Sequence, residues 1–357
     1  MNQVPEIIDV LREAVASGAS DVHLCAGLEP RMRLKGDIRP CHEQLLSKQE
    51  CRGIIMSLLT ESQRSRLEKD LELDFGLQVQ GLGRFRGNAH YSRGALEATF
   101  RLIPDEIPSI MELGHRPSVI NLCNLSHGLV LVTGMTGSGK STTLAAMIRR
   151  ISEEREAVIV TIEDPIEFYF KSSRSIIKQR EIGSDTKSFA EALRHVLRQD
   201  PDVIMVGEMR DRETVRAALT AAETGHLVLA TLHTNDAPQA LDRIVDFFPG
   251  DEQEQVLGQL AGCLAGVLSQ RLISSEDGDR RLMVSEFLKN NSAVGACIRD
   301  RRLEQIVGLM EIGRKDGMHT IDDTLEDLYL AGYVSKEDAI AESRDPARLE
   351  ALLRLPP

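Results

Sequence analysis

The run Gly134-Met135-Thr136-Gly137-Ser138-Gly139-Lys140-Ser141-Thr142 has the spacing G-x-x-x-x-G-K-S. It constrains the fold because it works only where a strand ends and a helix begins. The preceding Leu129-Val130-Leu131-Val132-Thr133 is too short and too β-branched for a buried helix, and Ser141 to Arg150 is rich in Ala, Leu, Met and Ile. Strand, glycine loop and helix therefore stand in order. Glycines let the backbone wrap an anion with its N–H groups turned inward. Lys140 then supplies charge to β- and γ-phosphate oxygens, and Ser141 supplies a hydroxyl to Mg²⁺. This predicts a nucleotide-phosphate site over Gly134, Met135, Thr136, Gly137, Ser138, Gly139, Lys140, Ser141 and Thr142, with Lys140 exposed.

The 357 residues suggest about two domains, and a 42% hydrophobic content suits a sizeable core. A net charge of -12 repels polyanions over most of the surface, which argues against a nucleic-acid partner. The six cysteines form no C-x-x-C pair and read as reduced thiols. No apolar run reaches membrane-spanning length, and Met1 to Leu11 carries Glu6 and Asp9 where a leader would be basic. The expectation is a cytoplasmic protein without membrane insertion.

Residues 1–103 read as a mixed α+β domain. Ile7, Ile8, Leu11 and Val15 mark an opening helix, and Arg31 to Ile38 reads as a hairpin turning at Gly36-Asp37. Ser47 with Glu50 reads as a capping box, and strand-like runs cover Gly83 to Tyr91 and Leu96 to Ile103. Pro104, Pro108, Gly114 and Pro117 break any regular element, so 104–118 is expected to be a linker. Residues 119–272 then alternate strand and helix, the mark of a parallel sheet with helices on its faces. Its candidate strands are Leu129 to Thr133, Ala157 to Ile162, Val203 to Gly207 and Leu227 to Leu232. Residues 273–357 read as mainly helical, with Ser335 and Asp338 capping a late helix and a last one from Arg344 to Leu355.

In an open α/β sheet, ligands sit beyond the carboxyl ends of the strands. The second strand runs into Glu163-Asp164-Pro165-Ile166-Glu167, three carboxylates in five residues. Glu163 is the first candidate to orient and deprotonate an attacking water. The third strand ends Val206-Gly207-Glu208, a Walker B-like segment whose Glu208 can hold Mg²⁺ through water or place the nucleophile. Asp211 reads as the cap of the next helix. After the fourth strand comes His233, which we place at the nucleotide by its position at the sheet edge, leaving His226 unassigned. Phosphoryl transfer needs more positive charge than one lysine carries. Arg84, Arg86, Arg93 and Arg101 in the first domain, and Arg194, Arg198 and Arg210 in the second, are the candidates.

Taken together, four ordered blocks resemble the secretion and type IV pilus ATPases, in particular their PilT/PilU-type branch that powers pilus retraction. These are Gly134 to Met147, Thr161 to Phe168, Asp200 to Asp211 and Thr224 to Thr234. Gly83-Arg84-Phe85-Arg86 and Phe100-Arg101-Leu102 match the family's sensor arginines. The resemblance implies that Arg86, Arg101 and Arg194 contact the terminal phosphates of ATP, and that Glu163 and Glu208 are the catalytic pair. It further implies a PAS-like α+β domain before a RecA-like P-loop domain with a helical C-terminal part. A homo-hexameric ring would act on an inner-membrane platform protein, with a paralogous retraction ATPase as a second partner. The four-cysteine zinc motif of extension and secretion members is absent. Where retraction members read Ala-Ile-Arg-Asn-Leu-Ile-Arg, this sequence reads Ala293-Val294-Gly295-Ala296-Cys297-Ile298-Arg299, keeping only the final Ile-Arg.

Overall fold

The computed structural model describes residues 6–34, 36–103 and 106–353. Lys35 of the expected hairpin, Pro104 of the expected linker, and Arg354 and Leu355 of the expected last helix lie outside the described residues. The chain forms two compact units. The first comprises residues up to Glu106 together with Pro165–Tyr169, and the second comprises Ile107–Asp164 and the chain from Phe170 onward.

In the first unit the elements are α1 (Ile7–Ala16), β1 (Asp21–Leu24), β2 (Arg31–Leu34), β3 (Asp37–Pro40), α2 (Lys48–Leu58), α3 (Glu61–Asp70), β4 (Glu72–Val79), β5 (Gly83–Ser92) and β6 (Ala95–Ile103). The strands make one antiparallel sheet in the order β3-β2-β1-β6-β5-β4. Alternation divides β5: Phe85, Gly87 and Ala89 face the core, and Arg84, Arg86, Asn88 and His90 share the other face. Phe75 and Phe100 meet edge to face at 6.2 Å. Gly87 lies so close that a Cβ there would fall 2.4 Å from the Phe75 ring. Helix α1 buries Ile7, Val10, Leu11 and Ala14, not the expected set, because the i, i+3, i+4, i+7 spacing leaves Ile8 exposed. The capping box at Ser47 and Glu50 is present. Leu34 pairs with Asp37, so Asp37 belongs to β3 and not to the turn expected at Gly36-Asp37.

The second unit carries α4 (Pro117–Cys123), β7 (Gly128–Thr133), α5 (Lys140–Glu154), β8 (Val158–Glu163), β9 (Ile176–Glu181), α6 (Phe189–Val196), β10 (Val203–Val206), α7 (Arg212–Glu223), β11 (Leu227–Leu232), α8 (Ala237–Asp246) and α9 (Gly250–Cys263). There follow β12 (Leu264–Ser274), β13 (Arg281–Lys289), α10 (Ser292–Arg299), α11 (Ile306–Ile312), α12 (Ile321–Leu330), α13 (Lys336–Ala341) and α14 (Pro346–Leu352). The sheet runs β13-β12-β7-β11-β10-β8-β9 and is parallel except for the β12–β13 hairpin. Every residue of β7, β10 and β11 is buried, as expected of parallel strands covered on both faces. The expected α/β class, an α+β unit beside a RecA-like parallel sheet, is the one observed. Several details differ from expectation. Helix α4 begins at Pro117, inside the stretch read as linker, because proline suits the first turn. Strand β13 interrupts the mainly helical stretch after Leu272, and the last helix starts at Pro346, capped by Asp345.

Candidate nucleotide site

The loop from Gly134 to Gly139 joins β7 to the 15-residue helix α5. Three glycines adopt positive φ there, Gly134 at 144°, Gly137 at 81° and Gly139 at 88°. Gly134 also has no room for a side chain, and Gly139 has little. A Cβ on Gly134 would fall 2.2 Å from the Gln270 carbonyl oxygen, and one on Gly139 would lie 3.2 Å from the Gln270 amide nitrogen. The loop therefore curls tightly over the helix N-terminus, where unpaired N–H groups and the helix dipole favour an anion.

Lys140 departs from expectation: it is 9% exposed. Its ammonium donates to the carbonyl oxygens of Gly134 at 2.8 Å and Met135 at 3.0 Å. The physical reason is the curl of the loop, which brings its own carbonyls within reach of Nζ and shields the stem. Met135, Thr136, Gly137 and Ser141 remain exposed, while Ser138 is buried and its hydroxyl lacks a hydrogen-bond partner. Thr143, one residue beyond Thr142, is held by the buried His115 at 3.0 Å.

Three neighbouring strand tips supply the other groups. Strand β11 pairs with β7 on one side and β10 on the other, and β10 pairs with β8. Glu163 is the last residue of β8 and is buried, and its Oε1 accepts from Thr161 Oγ1 at 2.6 Å and Gln179 Nε2 at 3.1 Å. Next to it, the Gly207 N–H donates to the Ile162 carbonyl at 2.8 Å, which sets Glu208 beside the tip that carries Glu163. Glu208 meets Arg210 at 2.7 Å and His233 Nε2 at 3.1 Å. Burial works to raise the Glu208 carboxyl, but the hydrogen bond and charge of Arg210, with His233, outweigh it, and the net shift is downward. Glu208 is thus kept ionised. His226 caps the end of α7 instead, its Nδ1 3.0 Å from the Ala221 carbonyl.

The other predicted residues have these partners within their own units. Arg194 lies on α6 and pairs with Glu213 at 2.9 Å, lining an open cleft of about 560 Å³ with His195 and Arg198. Glu167 belongs to the first unit, where it pairs with Arg86 at 3.6 Å. Arg86 stands directly opposite Arg101 on β6. Like charges facing across a ladder repel, and each is offset by carboxylates: Arg86 by Asp74 and Glu167, Arg101 by the buried Asp21 at 2.9 Å. Arg84 is buried under the Tyr169 ring at 3.8 Å, and Arg93 sits at φ 50° between β5 and β6. Sequence reasoning missed Thr161, Gln179 and Gln270. Strand recognition at Ile176–Glu181 and Leu264–Ser274 would have brought the latter two to the sheet edge.

The donors fit a Mg-nucleotide. Among the described residues no three His, Cys, Asp or Glu side chains cluster as a metal cage. One exposed hydroxyl, Ser141, and one ionised carboxylate, Glu208, suit Mg²⁺, which keeps several waters and takes phosphate oxygens as ligands. Also among the described residues, no helix is long and apolar enough to cross a membrane.

Known proteins resemble this chain over nearly its whole length. The type IV pilus retraction ATPase PilT of Pseudomonas aeruginosa is 42% identical over 341 residues, spanning 96% of this chain and 99% of the relative. The type IV pilus ATPase PilU of the same organism is 39% identical over 350 residues, spanning 98% and 92%. A crystal structure of the pilus retraction motor PilT with bound ADP superposes with a TM-score of 0.91 at 46% identity, covering 97% of this chain and 99% of that one. A profile of the family described as type II/IV secretion system protein matches residues 3–324. With its glycine loop and acidic strand tips in place, this chain belongs to the type II/IV secretion system protein family.

Proposed function

We propose that this chain is an ATP-hydrolysing motor of type IV pilus retraction, as primary or accessory motor. The observation that carries this reading is the glycine loop that follows β7 and leads into Lys140, two strands from β10, whose end leads to the ionised Glu208, supported by identity to PilT along nearly the whole chain. Neighbouring strands lie about 4.8 Å apart, so β7 and β10 are separated by roughly 10 Å at the sheet edge.

In this reading the loop N–H groups and Lys140 bind the β- and γ-phosphates, and Ser141 with Glu208 holds Mg²⁺, which neutralises phosphate charge when bound. Glu163, oriented by Thr161 and Gln179, takes the proton of the attacking water. His233 bonds to Glu208 and fixes its carboxylate. Arg86, Arg101 and Arg194 supply charge to the terminal phosphates. The active form is a homo-hexameric ring in the cytoplasm, bound peripherally at the inner membrane to the pilus platform protein, with a paralogous retraction ATPase as a second partner.

A second reading is an ATP-binding ring component with little turnover of its own. Gly295 favours it, since it stands on α10 where retraction members carry an arginine. Phosphate release from Mg-ATP separates the two. The motor reading expects Glu208→Gln to lower turnover by at least ~100-fold. Equal, background-level rates for both proteins would eliminate it. Retraction measured in cells lacking only this chain then distinguishes primary from accessory.

A further inference from the structure

We propose that Gln270 is a positioning residue for the nucleotide loop, fixing the Ser138–Gly139 peptide so that its N–H stays available to the phosphates. This rests on the ATPase reading above and adds a residue from outside the glycine motif.

Strand β12 lies parallel to β7 with Ser269 opposite Thr133, and their hydroxyls are bonded at 2.9 Å in the interior. One residue further, β7 has ended and β12 continues. Gln270 therefore runs alongside the start of the glycine loop. It is 2% exposed, and its Nε2 donates to the Ser138 carbonyl at 2.7 Å. Its backbone carbonyl packs where a Gly134 side chain would stand, and its amide nitrogen lies 3.2 Å from where a Gly139 side chain would begin. Gln270 thus touches the loop at its beginning, at Ser138 and at its last residue.

In a planar trans peptide the carbonyl of residue i and the N–H of residue i+1 point in opposite directions. Anchoring the Ser138 carbonyl to Gln270 therefore turns the Gly139 N–H away from β12. Gly139, at φ 88°, has little intrinsic preference that would hold this peptide by itself. A peptide free to rotate would lose a donor at the site of an incoming phosphate, and ordering it would cost affinity. The Gln270 amide removes that freedom in advance. Its role extends to the hairpin, because Gln270 pairs with Ser285 on β13, and Ser285 meets the buried His319 at 3.3 Å.

The test compares the full-length wild-type chain with Gln270→Met, which keeps the volume and removes the donor, and Gln270→Asn, which keeps an amide too short to reach. Ser269→Ala, which breaks the neighbouring buried bond without touching the loop, reports on a merely structural disturbance of β12. Readouts are the Kd for a fluorescent ADP analogue, the KM and kcat for Mg-ATP, and thermal unfolding. Both Gln270 variants are expected to weaken ADP binding and raise KM about tenfold, with kcat changed less. Ser269→Ala is expected to lower the unfolding temperature and leave Kd within twofold. Gln270 variants with wild-type Kd and KM would overturn the proposal, as would loss of fold in both, since that makes Gln270 structural. A wild-type chain that binds ADP but does not hydrolyse ATP would sink the motor reading and leave the Kd comparison to decide Gln270.

Discussion

The two sheets of this chain handle charge in opposite ways. In the second unit, Lys140 and Glu163 are buried and Glu208 is partly so, each held by groups a few residues away or on the next strand. In the first unit, Arg86 and Arg101 face one another across β5 and β6, with much of each side chain in solvent. A parallel sheet directs every strand the same way, so the chemistry-bearing residues that follow β7, β8, β10 and β11 gather at one edge by topology alone. An antiparallel sheet has no such edge. Arg86 and Arg101 gain a function only through what they meet, and within the first unit they meet carboxylates.

Substitutions can break or sharpen that contrast. The largest effect is expected at Glu163→Gln, which keeps the shape and the bond from Thr161 but removes the base. Turnover should fall by ~10²–10³-fold while thermal unfolding stays close to wild type. Phosphate release within tenfold of wild type would remove Glu163 from the chemistry. In the first unit, Arg86→Ala should lower turnover by about tenfold with little effect on unfolding, because its partners Asp74 and Glu167 are half in solvent. Arg101→Ala should also cost the first unit about 1–2 kcal/mol, since Asp21 is buried and loses a charged partner. Adding Asp21→Asn should recover the stability and leave turnover low. Recovery of both would make Arg101 purely structural.

A smaller effect is expected from pH, again unequally between the units. Burial lowers His115 to about 4, and burial with the charge of Arg116 lowers His319 to about 4, against 6.5 in the unfolded chain. Between pH 6.5 and 4 the unfolded state binds more protons, so the stability that both residues contribute is present above 6.5 and lost as pH falls toward 4. In the first unit burial also lowers His23, in a less buried setting. Amide hydrogen exchange between about pH 7 and about pH 4.5 should therefore show the second unit losing protection more steeply. A His115→Gln, His319→Gln double variant should flatten that loss, and an unchanged slope would remove these residues as the cause.

Much of this was legible in the residues because the decisive signals are local. Continuous apolar runs such as Leu129 to Val132 and Leu227 to Ala230 announce buried parallel strands, and Asp211 and Ser335 cap the helices they precede. What stayed hidden depends on partners distant in sequence. Strand β9 lies at the sheet edge and ends in Lys178, Gln179, Arg180 and Glu181, so Ile176 to Glu181 carries no continuous apolar run. Strand β12 follows α9 without a break residue, and the largely apolar stretch Leu260 to Leu268 runs through the boundary. Without β12, Gln270 has no place beside the glycine loop. The burial of Lys140 was hidden for a related reason: a motif gives the order of its residues but not which carbonyls its lysine will reach.

The most direct measurement is phosphate release from Mg-ATP by the wild-type chain and by Lys140→Ala, with unfolding temperatures recorded for both. Steady turnover is expected from the wild type, and background-level release from a Lys140→Ala protein that remains folded. Hydrolysis by folded Lys140→Ala at the wild-type rate would contradict the assignment of the glycine loop as the catalytic phosphate site.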